Sequence, residues 1–226
     1  MKNISVALDG PAGAGKSTLA KKVAEHFGII YVDTGALYRC VGLFAYRNNV
    51  SSNDRDEISA LLPKIEIEMK HDDTGMQRMI MSGEDVTEAI RLPEISNYAS
   101  DVSSIPEVRE FLLSTQRNMA LKYSVLMDGR DIGTVVLPNA DIKIFITADV
   151  DARAKRRYLE LIGRGVSTTF DDVKADMIVR DKNDSERAIA PLKVADDAII
   201  LDTTNLNFEE SFVALCNLIK NAGLCV

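Results

Sequence analysis

The residues whose types and spacing speak first of chemistry are Gly10, Pro11, Ala12, Gly13, Ala14, Gly15, Lys16 and Ser17, with Thr18 directly behind them. This is the full G-x-x-x-x-G-K-[ST] pattern of a phosphate-binding loop. Small residues let backbone N–H groups curl around phosphate oxygens, where larger side chains would block the approach. A helix opening at Lys16 would add its positive end. Lys16 is then placed to neutralise β- and γ-phosphate charge, and the Ser17 hydroxyl to sit on Mg²⁺. Three further groups carry charge in patterns. Arg130 and Asp131 follow Asp128-Gly129. Arg180, Asp184 and Arg187 stand four and three apart, so on a helix they share one face. Arg153, Lys155, Arg156, Arg157 and Arg164 face Glu160 alone in a short window. Taken by themselves, the last two groups read by default as an ordinary ion-pair stripe and a solvated helix face.

The elements that must position these residues follow from periodicity. Ile4 to Leu8 is a short apolar run that ends at Asp9-Gly10, as a buried strand does. Leu19, Val23 and Phe27 recur every four residues before Gly28, which marks a helix and its stop. Ile29 to Val32 is a second strand, and Asp33-Thr34 offers capping oxygens to a helix through Leu37, Val41 and Phe44. Strand, helix, strand, helix at the start predicts an α/β fold, a parallel sheet sandwiched by helices. Alternation then changes character. Ile65, Ile67 and Met69 alternate with Glu66 and Glu68, Met76 to Met81 follows a turn through His71-Asp72-Asp73-Thr74-Gly75, and Ser82-Gly83 makes another. That predicts a small, half-exposed antiparallel sheet inserted at about residues 64–92. Two helices follow, over 92–105 and 106–121. Strands are expected at 124–127, 142–146 and 198–201, and helices at 151–162, 170–187 and 208–222.

Composition sets the bounds. The chain has 226 residues, 46% of them hydrophobic, which is enough to bury a sizeable core without disulfides. No apolar run can span a bilayer, and the opening residues lack the core of a signal peptide, so a cytoplasmic location is expected. Cys40, Cys216 and Cys225 are scattered and odd in number, and read as reduced thiols. A net charge of −7 argues against non-specific nucleic-acid binding, while the basic window suits a small polyanion. His26 reads as a helix-end residue and His71 as a loop residue. Nothing requires more than a monomer. A GTPase would usually carry an Asn-Lys-x-Asp reader. The nearest string, Asp181-Lys182-Asn183-Asp184, has the wrong order, which leaves the small-molecule kinases as the main short-chain class.

Five motifs in order make the resemblance specific: Asp9-Gly-Pro-Ala-Gly-Ala-Gly-Lys-Ser, Asp33-Thr-Gly-Ala-Leu-Tyr-Arg, Ser82-Gly-Glu-Asp-Val-Thr, Asp128-Gly-Arg-Asp-Ile-Gly-Thr and Arg187-Ala-Ile-Ala-Pro-Leu. Together they resemble the bacterial cytidylate kinases, a P-loop nucleoside-monophosphate kinase family, over essentially the whole chain. The resemblance implies a single domain over 1–226 with a five-stranded parallel core. It also implies a nucleoside-monophosphate-binding region at 34–105 that carries the insertion, and a helical lid at about 151–170. The implied reaction is transfer of the γ-phosphoryl group of Mg-ATP to CMP or dCMP.

An acceptor phosphate is mostly ionised above its second pKa of about 6, so no strong general base is needed. Catalysis should then be positioning plus cationic clamping. By resemblance, Thr34 and Arg39 grip the acceptor phosphate with Arg130, and Arg187 reaches the phosphates. Arg180 and Asp184 hold the ribose. Asp131 faces the cytosine amino group with Ser100 as a second partner, and Arg109 faces N3 and O2. Tyr38 either flanks the nucleotide or packs its helix. The lid would close over ATP and exclude water. Arg153 and Arg157 are the pair expected at the transferring phosphoryl group. Asp128 either serves the metal or orients the turn that carries Arg130 and Asp131. The competing readings are a kinase for another small acceptor, such as UMP, and an ATP-binding regulatory module without turnover.

Overall fold

The computed structural model describes residues 3–72 and 77–223. Cys225, Met76 and residues 73–75 of the turn expected at 71–75 lie outside them. In chain order the elements are β1 (Ser5–Asp9), α1 (Lys16–Phe27), β2 (Ile30–Asp33), α2 (Thr34–Arg47), α3 (Arg55–Leu61), β3 (Ile67–His71), β4 (Gln77–Met81), β5 (Glu84–Asp85), α4 (Pro93–Val102), α5 (Pro106–Lys122), β6 (Val125–Gly129), β7 (Ile142–Thr147), α6 (Val150–Gly163), α7 (Phe170–Glu186), β8 (Ile199–Asp202) and α8 (Phe208–Asn221). They fall into two compact units. Unit 1 comprises Met1–Tyr31 with Ala120–Val226, and unit 2 comprises Val32–Met119.

Unit 1 is built on a five-stranded sheet in the order β2-β6-β1-β7-β8. β1 runs parallel to both β6 and β7, and β7 parallel to β8. Val6, Leu8, Leu126, Ile144 and Ile146 form its core with Leu19 and Val23 of α1 and Leu215 and Ile219 of α8. Strands covered on both faces need near-continuous apolar runs, which is why β1 and β6 read so plainly. The chain leaves β1 for β2 on one side and later places β7 on the other, so the order reverses at β1. Such a reversal opens a crevice beyond the carboxyl ends of the strands. There the register sets Asp9 opposite Gly129, one residue beyond the pairing of Leu8 with Asp128. His26 packs edge-on against Phe27 and Phe212, a structural use.

Unit 2 is organised around α2 and α4. The Asp33 carboxylate caps α2 by accepting from Ala36 N at 3.1 Å. α2 and α4 approach closely at Gly42, where an added Cβ would lie 3.0 Å from Tyr98 Cβ and 3.1 Å from Ala99 N. Leu37, Val41, Ile58, Met79, Ile95 and Leu112 share one apolar core. The small sheet is antiparallel, in the order β3-β4-β5, with Ile67 opposite Met81. It turns Met79 and Met81 inward, as alternation requires. Two details differ from expectation. His71 is the last residue of β3 rather than a loop residue. α3 was not foreseen, because seven residues give too short a periodic signal; its visible mark is Asp54, whose carboxylate accepts from Glu57 N. No helix among the described residues is long and apolar enough to cross a membrane. Cys40 and Cys216 are free and buried, and burial pushes the Cys40 thiol up to about 12.

Candidate active site

The phosphate loop leaves β1 at Gly10, whose φ is +149°. A Cβ there would sit 2.0 Å from the Ile146 carbonyl oxygen, so glycine alone fits. The loop ends at Lys16, the first residue of α1. The Lys16 ammonium is buried and donates to the carbonyls of Gly10 at 2.7 Å and Pro11 at 2.8 Å. Burial, with Arg130 nearby, brings its pKa down to about 7, against the pull of Asp128 and Asp9. Ser17 and Thr18 are exposed on the first turn. Ser17 Oγ donates to Asp128 Oδ2 at 2.7 Å, and Tyr31 Oη donates to Asp128 Oδ1 at 3.1 Å. A hydroxyl and a carboxylate oxygen thus lie side by side, hard donors of the kind that hold Mg²⁺ together with phosphate oxygens. Among the described residues no cluster of three or more His, Cys, Asp or Glu could hold a metal by itself. The pair therefore suits an ion that arrives with its phosphates.

Behind the loop lies an anchor the sequence reading missed. The Asp9 carboxylate accepts from Ile132 N at 2.8 Å and Gly133 N at 2.7 Å. It holds a π-helical turn, Ile132–Val136, at the exit of β6. Such turns recur at functional sites. Burial raises Asp9 to about 6 against those two backbone donors. An acidic residue at the end of an otherwise apolar strand was the available signal.

Asp131 and Arg130, between β6 and that turn, each meet a partner from the end of α7. Arg187 Nη2 donates to Asp131 Oδ1 at 3.3 Å, with both side chains 7% exposed. Arg130 Nε donates to Asp184 Oδ2 at 2.7 Å. Burial alone would raise the Asp184 pKa, but Arg130, with Arg187 and Arg180, outweighs it and holds the carboxyl below its usual range. The expectation that Arg180, Asp184 and Arg187 share a helix is corrected in part. α7 ends at Glu186 and Arg187 is extended, with φ −61° and ψ 139°. A helix continued through Pro191 would drive its ring into the Arg187 carbonyl.

The basic window divides by role. Arg153 is buried and donates to the carbonyls of Ala148 at 2.8 Å and Ala12 at 3.0 Å, and it pairs with Asp181 at 2.7 Å. It reaches the phosphate loop from the carbonyl side and ties it to α7, whose Met177 lies over Gly13. Arg156 donates to the carbonyls of Thr203 and Leu206. Arg157 pairs with Glu160, which also meets Arg164. The sequence spacing of Arg153 and Arg157 put them on one face but could not show that only Arg153 is buried.

Unit 2 holds the remaining candidates. Thr34 is buried in the first turn of α2, and Arg39 lies 3.5 Å from Asp33, with α2's positive end beside them. Arg109 is buried, donates to Ser103 O at 3.1 Å, and lies over the Tyr38 ring at 5.6 Å. Ser100 belongs to the same turn, its carbonyl accepting from Ser103 Oγ at 2.7 Å. Tyr38 packs against the unit 2 core as well.

The family model described as cytidylate kinase matches residues 6–221. A cytidylate kinase of Caldicellulosiruptor bescii is 52% identical over 93% of this chain and 92% of its own length. One of Lactobacillus gasseri is 48% identical over 96% and 94% respectively. The solved structure of an uncharacterised protein from Eubacterium ventriosum superposes with a TM-score of 0.51 at 16% identity, covering 99% of this chain and 100% of that one, and so shares the fold.

Proposed function

The chain belongs to the cytidylate kinase family, and on that premise we propose that it transfers the γ-phosphoryl group of ATP to CMP or dCMP, giving ADP and CDP or dCDP. The observation that carries the reading is the phosphate loop beside two arginine–carboxylate pairs, Arg130–Asp184 and Arg187–Asp131, all within unit 1.

The backbone of Gly10–Gly15 cradles the ATP phosphates, and Lys16 exchanges two loop carbonyls for phosphate oxygens. Ser17 and Asp128 would hold Mg²⁺, which supplies charge neutralisation at the β- and γ-phosphates when bound. Of the two readings open for Asp128, its hydroxyl partner Ser17 favours the metal side. Arg130 and Arg187 serve the acceptor phosphate, and Arg180 and Asp184 the ribose. Thr34 and Arg39, at the N-terminus of α2, are assigned to the same phosphate. Asp131 accepts from the cytosine amino group with Ser100, while Arg109 donates to N3 and O2. Uracil presents a carbonyl where cytosine has its amino group, and a site built to bond one group rejects the other by up to about 10⁴–10⁵. Arg153, which also orders the phosphate loop, and Arg157, which must leave Glu160, are the lid cations assigned to the transferring phosphoryl group. A monomer acting on free nucleotides in the cytoplasm fits this chemistry.

ADP production with Mg-ATP and each of CMP, dCMP, UMP, AMP and GMP tests the proposal. Turnover confined to CMP and dCMP is expected. Turnover with a different acceptor removes the base-reading roles of Asp131, Arg109 and Ser100, and equal ADP release without an acceptor makes the protein an NTPase. Asp131→Ala should lose CMP-over-UMP preference while keeping ATP affinity.

A further inference from the structure

The groups assigned to base and ribose are paired with the groups assigned to phosphate. Asp131 holds Arg187 and Asp184 holds Arg130. We propose that these two ion pairs form a latch that the acceptor nucleotide opens by exchange of partners, so that the phosphate-clamping arginines are released to an acceptor whose base donates a hydrogen bond to Asp131. The inference rests on the function proposed above and concerns how specificity is enforced within that site.

The argument starts from burial. Asp131 and Arg187 are each 7% exposed, and removing one partner of a buried pair leaves an uncompensated charge. Arg187 therefore leaves Asp131 at least cost when another donor arrives there. The cytosine amino group is such a donor, and the uracil carbonyl is not. Asp184 is better hydrated and less demanding, with ribose hydroxyls able to replace Arg130. Once both carboxylates are engaged by the nucleoside, both guanidiniums can turn to its dianionic phosphate, a stronger acceptor. Base and phosphate recognition are thereby one event.

The backbone holds the latched state independently. Arg187 Nε donates to Ala190 O at 2.5 Å, and Leu192 N donates to Asp184 O at 2.7 Å, closing a tight turn behind α7. Ala190 has φ +48°, a left-handed conformation that residues with a Cβ seldom adopt, and it precedes Pro191, which restricts it further. Sparsely populated backbone states of this kind collect at ligand clamps and switches. Here the strained turn aims Arg187 at Asp131. If the arginine only had to wait for phosphate, no such restraint would be needed.

The test uses methyl phosphate, which has neither base nor ribose, titrated by ³¹P NMR into full-length protein whose phosphate loop is saturated with ADP. In a latch, Asp131→Asn weakens the hold on Arg187, and the variant binds methyl phosphate about tenfold more tightly than wild type, equivalent to about 1.4 kcal/mol. Asp184→Asn shifts affinity in the same direction through Arg130. If Asp131 and Arg187 instead make independent contacts, the base-less probe binds both variants no more tightly than wild type, and the proposal is overturned. Circular dichroism establishes folding. Should one variant not fold, the other reads the same exchange; should neither fold, the pairs are structural and the latch is rejected. Wild-type turnover of CMP, measured on the same preparation, reports separately on the proposed function.

Discussion

In unit 1 the residues Asp9, Lys16, Asp128, Asp131 and Arg153 are each under a tenth exposed, whereas two bidentate pairs of unit 2, Arg47–Glu84 and Arg55–Glu107, lie out in water. Unit 2 draws its order from an apolar core between α2, α4 and α5, with most of its ion pairs at the surface. Unit 1 has an apolar core of its own but sets a charged layer at the carboxyl ends of its strands. Desolvated charges are costly and gain strength from the low local dielectric, so they collect where they are to act on another charge. Unit 2 has buried charge as well: Arg109 is 8% exposed and lies over Tyr38, and the Arg39–Asp33 pair at the start of α2 is half-buried.

The contrast makes graded predictions. Arg187→Met, by stripping Asp131 of its guanidinium, should lower the free energy of unfolding by about 3–5 kcal/mol, measured by urea denaturation. A loss under about 1 kcal/mol would mean that the layer in unit 1 is as weakly coupled as a surface. Gly42→Ala attacks unit 2 through packing instead. Its methyl meets Tyr98 and the Ala99 backbone, and a loss of about 1–3 kcal/mol is expected in the same assay. Full tolerance would show that α2 and α4 can move apart at little cost.

A subtler effect comes from Lys16. Its pKa falls from an ordinary 10.5 to about 7 in the folded protein. The folded state therefore binds fewer protons than the unfolded chain between pH 7 and 10.5, and this group's contribution to stability increases as pH rises through that window. Bound phosphates favour the ammonium, so ADP or ATP binding at pH 8 should take up close to one proton at Lys16. Calorimetry in buffers of different ionisation enthalpy reads it. At pH 6 the amine is already charged and that uptake should vanish; equal uptake at both values would contradict the assignment. The smallest effect belongs to Glu84→Gln in unit 2, which breaks the exposed pair with Arg47 and should leave the unfolding midpoint unchanged. A clear shift there would erase the distinction between the two units.

The phosphate loop was legible because its chemistry is local. Glycines, a lysine and a hydroxyl at fixed spacing specify a backbone path between one strand and one helix, and β1 and α1 stand where periodicity set them. The small antiparallel sheet was legible for the same reason, since alternation alone distinguishes its two faces. α3 and the π-helical turn were not, because neither is long enough for an apolar position to recur more than once. Asp9 shows the other limit. Its partners are more than a hundred residues away, and no spacing in the chain reveals that its carboxylate supports the turn beside Asp131.

Sequence by itself determined the parallel core, the capped helices, the phosphate loop and the identities of the charged residues, because each depends on neighbours within a few turns of chain. Only the tertiary structure decided which charges meet. It set Arg187 on Asp131 and Arg130 on Asp184, left Arg187 outside its helix, and turned Arg153 toward the loop carbonyl of Ala12. Those pairings depend on strand order and on how deeply each group is buried, quantities that arise when distant segments pack together and that no local pattern encodes.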